Sequence, residues 1–246
     1  MKILVCISKT PDTTSKIEFV DGNTKFKTDG VQWIMNPTDE WYALVRGVEL
    51  KEAHGGTVTV INVGGAENDQ IIRKALAIGA DDAVRVDVEA KDAFQVASEI
   101  ANYAKDQNFD LILTGEETID YNGSVVGGML SELLDIAYVS LASGLEVEGT
   151  TAKVKREIEG GNEQVEANFP IVISCQKGMA EQRIPNMRGI MSARTKPLNV
   201  VAGSGAAAAT AVANFELPPA REAVKLVDAD NVGELVRLLK EEAKII

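Results

Sequence analysis

Histidine, cysteine and aromatic residues are scarce in this sequence of 246 residues, which has one histidine, two cysteines and 5% aromatic residues. His54 has no second histidine with which to build a metal site or a catalytic triad, and its position predicts a favourable charge at a helix end. Cys6 and Cys175 lie in apolar runs, which favours buried thiols over a disulfide or a nucleophile. The usual side chains of hydrolytic catalysis are therefore thinly represented.

Positive charge is also in short supply, because 25 Lys and Arg residues stand against 37 Asp and Glu residues, a formal net charge of -12. Clustered basic residues drive binding to nucleic acids and to anionic membranes, so this balance argues against both. No apolar run of about 18 residues occurs, and no integral membrane segment is expected. The first residues lead directly into a predicted strand without the apolar core of a signal peptide, which predicts a cytoplasmic location.

Apolar runs of strand length alternate with amphipathic patterns of helix length through the first 140 residues. Strands are predicted at residues 2–7, 57–63, 83–86, 111–114 and 136–141, and helices from residue 39, at 69–78, at 94–107 and from residue 125. A small hairpin is predicted across Asp21-Gly22, and Thr38 or Asp39 is expected to cap the first long helix. The alternation predicts βαβ units and an α/β fold with a doubly wound, mainly parallel sheet.

A different pattern begins at about Gly144. Residues 145–175 predict further strands, with a hairpin turn at Glu159-Gly160-Gly161. The next stretch, residues 177–197, is basic in an otherwise acidic protein, and isoleucine and methionine residues lie between its charges. Arginine with methionine is typical of an adaptable protein contact, whereas a helix with a buried apolar stripe explains the same residues almost equally well.

Small residues at 203–213 predict a flexible connector, and a final helix is predicted at 230–246 with Asp230 as its cap. This helix can pack on its own domain or on a partner subunit, and the sequence leaves both arrangements open. We therefore expect an α/β domain over residues 1–200, with an added β-hairpin region, and a linker with a C-terminal arm over residues 201–246.

The candidate ligand site follows the fourth predicted strand, where an acidic loop at residues 115–124 leads into a helix. This arrangement presents free backbone N–H groups at a helix N-terminus, where an anion is stabilised. Gly123 permits close approach of the backbone, and Asn122 or Ser124 can cap the helix or donate to a ligand. Neither GxGxxG nor GxxxxGK[ST] is present, so an ordinary capped turn is an equally good explanation.

Parallel strands place their carboxyl ends at one edge of the sheet, where ligands bind at the switch in strand order. The pocket is therefore expected at residues 6–9, 63–66 and 115–126, with Asn36 arriving on its own turn. No residue there forms a nucleophile with a base, so we assign no catalytic residue and no metal site. A structural or regulatory nucleotide fits this pocket better than one that is consumed.

Three carboxylates in the loop, Glu116, Glu117 and Asp120, supply the alternative of an enzyme. They could hold a divalent metal together with substrate phosphates, although such residues more often interact with a helix dipole. A nucleotide-hydrolysing enzyme and a nucleotide-binding regulatory module therefore remain alternatives to an electron carrier.

Six segments in a common order resemble the beta subunit of electron-transfer flavoproteins, and they cover essentially the whole chain. They are ILVCISKTPD, DGVQWIMNPTDEWYALVRGVELKE, ALAIGADDAVRV, LTGEETIDYNGSVVGGMLSELL, VKREIEGGNEQV and EQRIPNMRGIMSARTKPL. The resemblance implies a Rossmann-like fold of the adenine nucleotide alpha hydrolase type. It also implies a heterodimer in which the alpha subunit holds most of an FAD and this chain shelters part of it.

The resemblance implies a redox protein rather than an enzyme. Electrons would pass from flavin dehydrogenases, such as acyl-CoA dehydrogenases, towards a quinone reductase. In the common branch of the family this subunit holds AMP as a structural ligand, and in the bifurcating branch a second FAD occupies that site. Tyr121 stands where bifurcating relatives carry a glycine, and Val125 and Val126 stand where polar residues are frequent. AMP is therefore expected, with its phosphate bound by backbone N–H groups, Asn122 and Ser124.

Transferred position by position, the resemblance predicts a cofactor site and a partner-binding stretch. The cofactor site comprises Cys6, Asn36, Pro37, Thr38, Asp39, Val63, Gly115, Glu116, Thr118, Asp120, Asn122, Gly123, Ser124, Val125 and Val126. The partner-binding residues are Lys177, Met179, Glu181, Arg183, Ile184 and Arg188. The family stretch usually begins with an exposed leucine, whereas this one begins at Lys177-Gly178-Met179. Residues 201–246 are expected to pack on the alpha subunit.

Overall fold

A computed structural model describes residues 1–221 and 223–246 of the chain. Strands and helices alternate through its first half, as the sequence predicts. In chain order the elements are β1 (Lys2–Cys6), β2 (Lys9–Pro11), β3 (Phe19–Val20), β4 (Lys25–Phe26), β5 (Trp33–Met35), α1 (Asp39–His54), β6 (Thr57–Val63), α2 (Asp69–Ile78), β7 (Asp82–Asp87), α3 (Ala93–Ala104), β8 (Leu111–Gly115) and α4 (Val126–Leu134).

The second half contributes mainly strands. They and the remaining helices are β9 (Ala137–Glu148), β10 (Thr151–Ile158), β11 (Gly161–Asn168), β12 (Ile171–Cys175), α5 (Met187–Ala193), β13 (Leu198–Ala202) and α6 (Val232–Arg237). A 3-10 turn at Ala66–Asn68 precedes α2, and a π-helical turn at Leu238–Glu242 follows α6. Among the helices of residues 1–221 and 223–246, none combines the length and the hydropathy needed to cross a bilayer.

Nine strands form one sheet in the order β11-β10-β9-β12-β8-β1-β6-β7-β13. All neighbours from β9 across to β13 pair in parallel, and β10 and β11 add an antiparallel hairpin at one edge. Two small antiparallel sheets, β2 with β5 and β3 with β4, lie between β1 and α1 along the chain. The predicted α/β, doubly wound and mainly parallel fold is confirmed.

Two apolar clusters cover the two faces of the sheet. Residues of α1 and α2 belong to one cluster, and residues of α3 and α4 belong to the other. The predicted buried stripe of α1 is confirmed, since Trp41, Leu44, Val45 and Val48 are all buried. Burial of each such side chain contributes about 1.5–3 kcal/mol to stability, so these helices are fixed firmly against the strands.

The predicted fifth strand is too short, because β9 continues to Glu148 instead of ending at Leu141. Leu141 has a φ of 56° and lies where the pairing of β9 with β12 shifts register. An irregularity of this kind bends a strand without ending its pairing. The change of pattern near Gly144 therefore lies inside one long strand rather than between two.

Two strands have positions that the sequence pattern did not predict. β12 is completely buried and lies in parallel between β8 and β9, close to the centre of the sheet. β13 forms the opposite edge beside β7, although no strand was predicted at residues 198–202. Hydrophobic periodicity indicates that a segment is extended, but it does not specify the strand with which it pairs.

Residues 203–215, which follow β13, form an irregular strap across the molecule. The amides of Ala209 and Thr210 donate to Asp92 Oδ2 at 2.7 and 2.6 Å, and the Phe215 ring stacks on Phe19 at 4.8 Å. The predicted C-terminal helix is wrong in two respects. It ends at Arg237, with only a π-helical turn beyond it, and Asn231 rather than Asp230 provides the cap.

Candidate nucleotide site

The expected pocket lies at the centre of the sheet, where β1 pairs with β6 on one side and with β8 on the other. The chain continues from β1 towards α1 on one face of the sheet and from β8 towards α4 on the other. This divergence is a topological switch point, the usual ligand position in such sheets. The structure thus brings residues 6–9 and 115–126 together, and Val63 lies on the far side of β1.

Asn36 fixes the loop that follows β8. Its buried side chain donates through Nδ2 to the carbonyl oxygen of Glu117 at 2.8 Å and accepts through Oδ1 from the amide of Ile119 at 3.2 Å. The backbone N–H of Asn36 donates to the carbonyl oxygen of Ser8 at 3.1 Å. The side-chain amide of Asn36 is therefore engaged in holding the loop. This predicted site residue thus supports the site.

The turn into α1 contains the other predicted residues of this segment. Thr38 occupies the N-cap position without a side-chain capping bond, so the expected cap is absent. Asp39 Oδ2 instead accepts from the amide of Glu117 at 3.3 Å, and partial burial raises the pKa of the Asp39 carboxyl. The Pro37 carbonyl accepts from Gln182 Nε2 at 3.2 Å, which ties this turn to the stretch after β12.

The loop at residues 115–124 closes around the Glu117 carboxylate. Asn122 Nδ2 donates to it at 2.8 Å and Ser124 Oγ donates at 3.3 Å. Asn122 and Ser124 have φ values of 47° and 51°, on either side of the exposed Gly123. The amide of Asn122 also donates to the carbonyl oxygen of Thr118 at 2.9 Å. The loop is therefore organised by its own polar groups.

No side chain caps the start of α4. The N-cap position is Val125, and neither Asn122 nor Ser124 bonds to the helix, contrary to the capping expectation. The amides of the first turn, at Val126 and Gly127, therefore lack a side-chain acceptor there, as a phosphate site requires. Tyr121, in the loop before this turn, has 70% of its surface exposed.

The three loop carboxylates do not converge. Glu116 is directed towards the sheet, where its Oε2 accepts from Ser174 Oγ at 2.6 Å and from the amide of Leu141 at 3.1 Å. Glu117 faces the loop, and Asp120 is exposed. In the part of the chain that the structure describes, no three His, Cys, Asp or Glu side chains are grouped to hold a metal ion.

Glu40 is a buried acid at this site that sequence reasoning missed. It accepts from the amide and the hydroxyl of Ser8, both at 2.6 Å, and burial raises its pKa to about 8. Burial, followed by the charge of Glu40, also raises the pKa of the Cys6 thiol, so this predicted site residue is not a nucleophile. The sequence did contain an indication that Glu40 is buried, because Glu40 precedes Leu44 by four residues and falls in the buried stripe of α1.

A second missed residue is Arg85, a buried cation beside the turn that follows β6. Its guanidinium donates to the carbonyl oxygen of Gly64 at 3.0 Å and pairs with Asp69 at 2.8 Å and Asp87 at 2.5 Å. These bonds fix the turn next to Val63. An arginine inside an apolar strand pattern could have indicated such a role, since buried charges require partners.

The predicted partner-binding stretch is divided between the core and the surface. Met179 is only 4% exposed and packs in the core, so its expected partner contact is contradicted in this structure. Arg183 forms a bidentate pair with Glu52 at 2.8 and 2.9 Å, and its carbonyl accepts from Trp41 Nε1 at 3.2 Å. Arg183 therefore anchors the stretch to α1.

The remaining residues of the stretch face solvent. Ile184 is 81% exposed, and Met187 and Met191 are similarly exposed, so the alternative of a buried apolar stripe is wrong. Lys177, Glu181 and Arg188 are exposed as well. A cavity of about 580 Å³ is lined by residues of α1, α2 and α5 and includes Arg183, Ile184 and Arg188. Exposed apolar side chains beside a cavity are typical of a protein contact.

These features define a Rossmann-like α/β protein in which a strand, a loop and a helix without a side-chain cap meet at the switch point. The family model described as "Electron transfer flavoprotein domain" matches residues 23–206. Because relatives that match its full length carry the name of the beta subunit, the chain belongs to the electron transfer flavoprotein beta-subunit family.

Several curated relatives carry the name "Electron transfer flavoprotein subunit beta". The protein from Bacillus subtilis is 38% identical, and the match covers 100% of both chains. The protein from Syntrophomonas wolfei is 35% identical, with 100% of this chain and 98% of the relative covered. The human protein is 32% identical, with 100% of this chain and 99% of the relative covered.

Proposed function

We propose that this chain is the beta subunit of a heterodimeric electron-transfer flavoprotein, that it binds AMP as a structural ligand, and that it helps to enclose an FAD held mainly by the alpha subunit. In this role the protein is a cytoplasmic electron carrier. The FAD accepts electrons from flavin dehydrogenases, such as acyl-CoA dehydrogenases, and passes them towards a quinone reductase.

The observation that supports AMP binding is the uncapped start of α4 at the switch point. A phosphate there would accept from the amides of Val126 and Gly127, with Asn122 and Ser124 beside it. Asn36 would support the loop, and Cys6 would line the floor of the site. In this proposal Pro37, Thr38, Asp39, Val63, Gly115, Glu116, Thr118, Asp120, Gly123 and Val125 complete its surroundings.

Tyr121 favours AMP over a second FAD in this site. Its ring stands at the edge of the loop, where bifurcating members of the family are expected to carry glycine. A bulky side chain at that edge would limit space for the larger cofactor. A bifurcating type of subunit with a second FAD is the alternative within the family.

The surface formed by Ile184, Met187 and Met191 is the proposed contact for the dehydrogenase, with Lys177, Glu181 and Arg188 at its rim. Methionine side chains adapt to different partner shapes, which suits a carrier with several donors. Arg183 would hold this surface in place through its pair with Glu52.

Residues 201–246 would form an arm that packs on the alpha subunit. Leu226 is 89% exposed, and Val224, Val232 and Ile246 are also largely exposed. Exposed apolar side chains at this density are typical of a protein contact, which a partner subunit would supply.

Co-expression with the alpha subunit tests the proposal. The two chains should purify together as a yellow complex whose flavin is reduced by an acyl-CoA dehydrogenase and its substrate. A chain truncated after residue 215 should lose the alpha subunit. A colourless homodimer that binds ATP would support the regulatory module instead, and steady hydrolysis of ATP would support an enzyme.

A further inference from the structure

Glu40 lies where three segments of the site meet. Its carboxylate accepts from the amide and hydroxyl of Ser8, which follows β1. Glu40 is the second residue of α1, and a methyl group added to Gly115 at the end of β8 would lie 2.8 Å from Glu40 Cγ. Glu40 therefore joins the ends of both central strands to the first turn of α1.

The surroundings of Glu40 oppose a negative charge. Its side chain is almost completely removed from solvent. Asp39 on α1 and Asp120 on the β8–α4 loop both act on it with like charge, and the Cys6 thiol faces it from β1. The two bonds from Ser8 and the N-terminus of α1 favour the anion. The balance leaves the pKa of Glu40 at about 8, with burial as the largest cause.

We propose that Glu40 is a positioning residue of the nucleotide site, that it is protonated when the site is occupied, and that occupancy is therefore coupled to proton uptake. This inference rests on the proposed binding of AMP. A neutral carboxyl can donate to Ser8 Oγ and accept from the backbone N–H of Ser8, so both hydrogen bonds between Glu40 and Ser8 are kept without a charge. A bound phosphate adds negative charge nearby and favours the neutral carboxyl further.

The coupling between AMP binding and proton uptake can be measured as the pH dependence of the AMP affinity. Above the pKa of Glu40 in the empty site, Glu40 must take up a proton when AMP binds, so the affinity for AMP should fall about ten-fold for each further pH unit. The second proton of a phosphate monoester is lost near pH 6, so AMP itself contributes little above about pH 7.5. The loss of affinity is thus assigned to the protein.

The test is titration calorimetry of AMP with the heterodimer from which the nucleotide has been removed, at about pH 7 to about pH 9.5, in buffers of different ionisation enthalpy. The wild type should take up about one proton for each AMP at about pH 9. The affinity of Glu40→Gln should vary less than about two-fold across the range, because glutamine is neutral and can still pair with Ser8. Glu40→Ala should bind AMP weakly at every pH.

Glu157→Gln is the matched control, because Glu157 is exposed on β10 and should leave the pH dependence as in the wild type. Equal AMP affinity at all pH values in the wild type, without proton uptake, would overturn the role of Glu40 and leave AMP binding intact. If AMP binds to none of the proteins, the proposed function fails and the inference fails with it. If Glu40→Gln does not fold, proton uptake by the wild type decides whether AMP binding is coupled to protonation.

Discussion

At the residue scale, the site depends on a few buried polar side chains whose bonds are satisfied by neighbouring loops. The sequence predicted Asn36 as a site residue but did not reveal that its amide holds the loop after β8. Glu40 and Arg85 were not predicted at all, and Ser8 was expected in the pocket without its bonds to Glu40. Their partners are distant in sequence, and the pairing of groups that meet only after the sheet forms is not contained in local patterns.

Removal of the Asn36 amide should loosen the loop after β8. Asn36→Ala leaves the carbonyl of Glu117 and the amide of Ile119 without their partner, so we expect the free energy of unfolding to fall by about 1–3 kcal/mol. AMP retention should fall in the same protein. Chemical denaturation and the nucleotide content after gel filtration measure the two effects. Asn199→Ala on the exposed edge of β13 is the control, and equal behaviour of both variants would contradict the assignment.

Glu40 should make stability depend on pH. Its pKa is raised from 4.5 to about 8 in the folded chain, so the folded state binds more protons than the unfolded state between these values. The stability that this gives is complete below about pH 4.5 and is lost as pH rises to about 8. Denaturation of the wild type and of Glu40→Gln across this range should show a shallower decline in the variant. If the stability of the two proteins changed with pH in parallel, the assignment of Glu40 as a buried neutral acid would be contradicted.

At the element scale, the elements that line the site were largely predictable. β1, β6, β8 and α1 carry clear apolar patterns, and their observed bounds lie within a few residues of the predicted ones. The errors fall on β9, β12, β13 and α6. Their lengths and positions depend on strand partners or on the absence of packing, so a local apolar pattern was insufficient.

Two adjacent glycines of α4 should respond oppositely to alanine. A methyl group at Gly127 would lie 2.9 Å from Tyr138 Cε2 and 3.0 Å from Thr114 Oγ1, whereas at Gly128 the nearest atom is 3.6 Å away. Gly127→Ala should therefore cost about 1–3 kcal/mol and displace the start of α4, with loss of AMP. Gly128→Ala should be neutral or stabilising by up to about 1 kcal/mol. Thermal denaturation of both variants, with nucleotide analysis, tests the difference.

The stretch around α5 should act on docking without affecting the cofactors. Ile184→Asp places a charge on the exposed apolar surface, so the rate of flavin reduction by the dehydrogenase should fall at least about ten-fold. Ile158→Asp, on the exposed face of the hairpin, is the control. Stopped-flow reduction measures the rate, and loss of flavin from Ile184→Asp with unchanged docking would contradict the assignment. Met179→Asp is unsuitable, because a charge in the core would destabilise the chain.

At the scale of the whole molecule, the candidate site was expected from strand ends alone, since parallel strands with helices between them place their carboxyl ends together. The chemical nature of the ligand was not predictable in this way. Expectations of AMP and FAD came from the family segments that the chain carries in order. The strap that follows β13 stacks on Phe19 through Phe215, and exposed apolar side chains follow it in the sequence. These features indicate a chain whose surface is completed by a partner.

The central claim is that the switch point holds an adenylate beside a flavin that is shared with the alpha subunit. Mass spectrometry of the ligands released when the purified heterodimer is denatured tests it most directly. The expected result is AMP and FAD in equal amounts, about one of each for each heterodimer. FAD in two-fold amount without AMP would contradict the assignment of AMP, and release of neither compound would contradict the account as a whole.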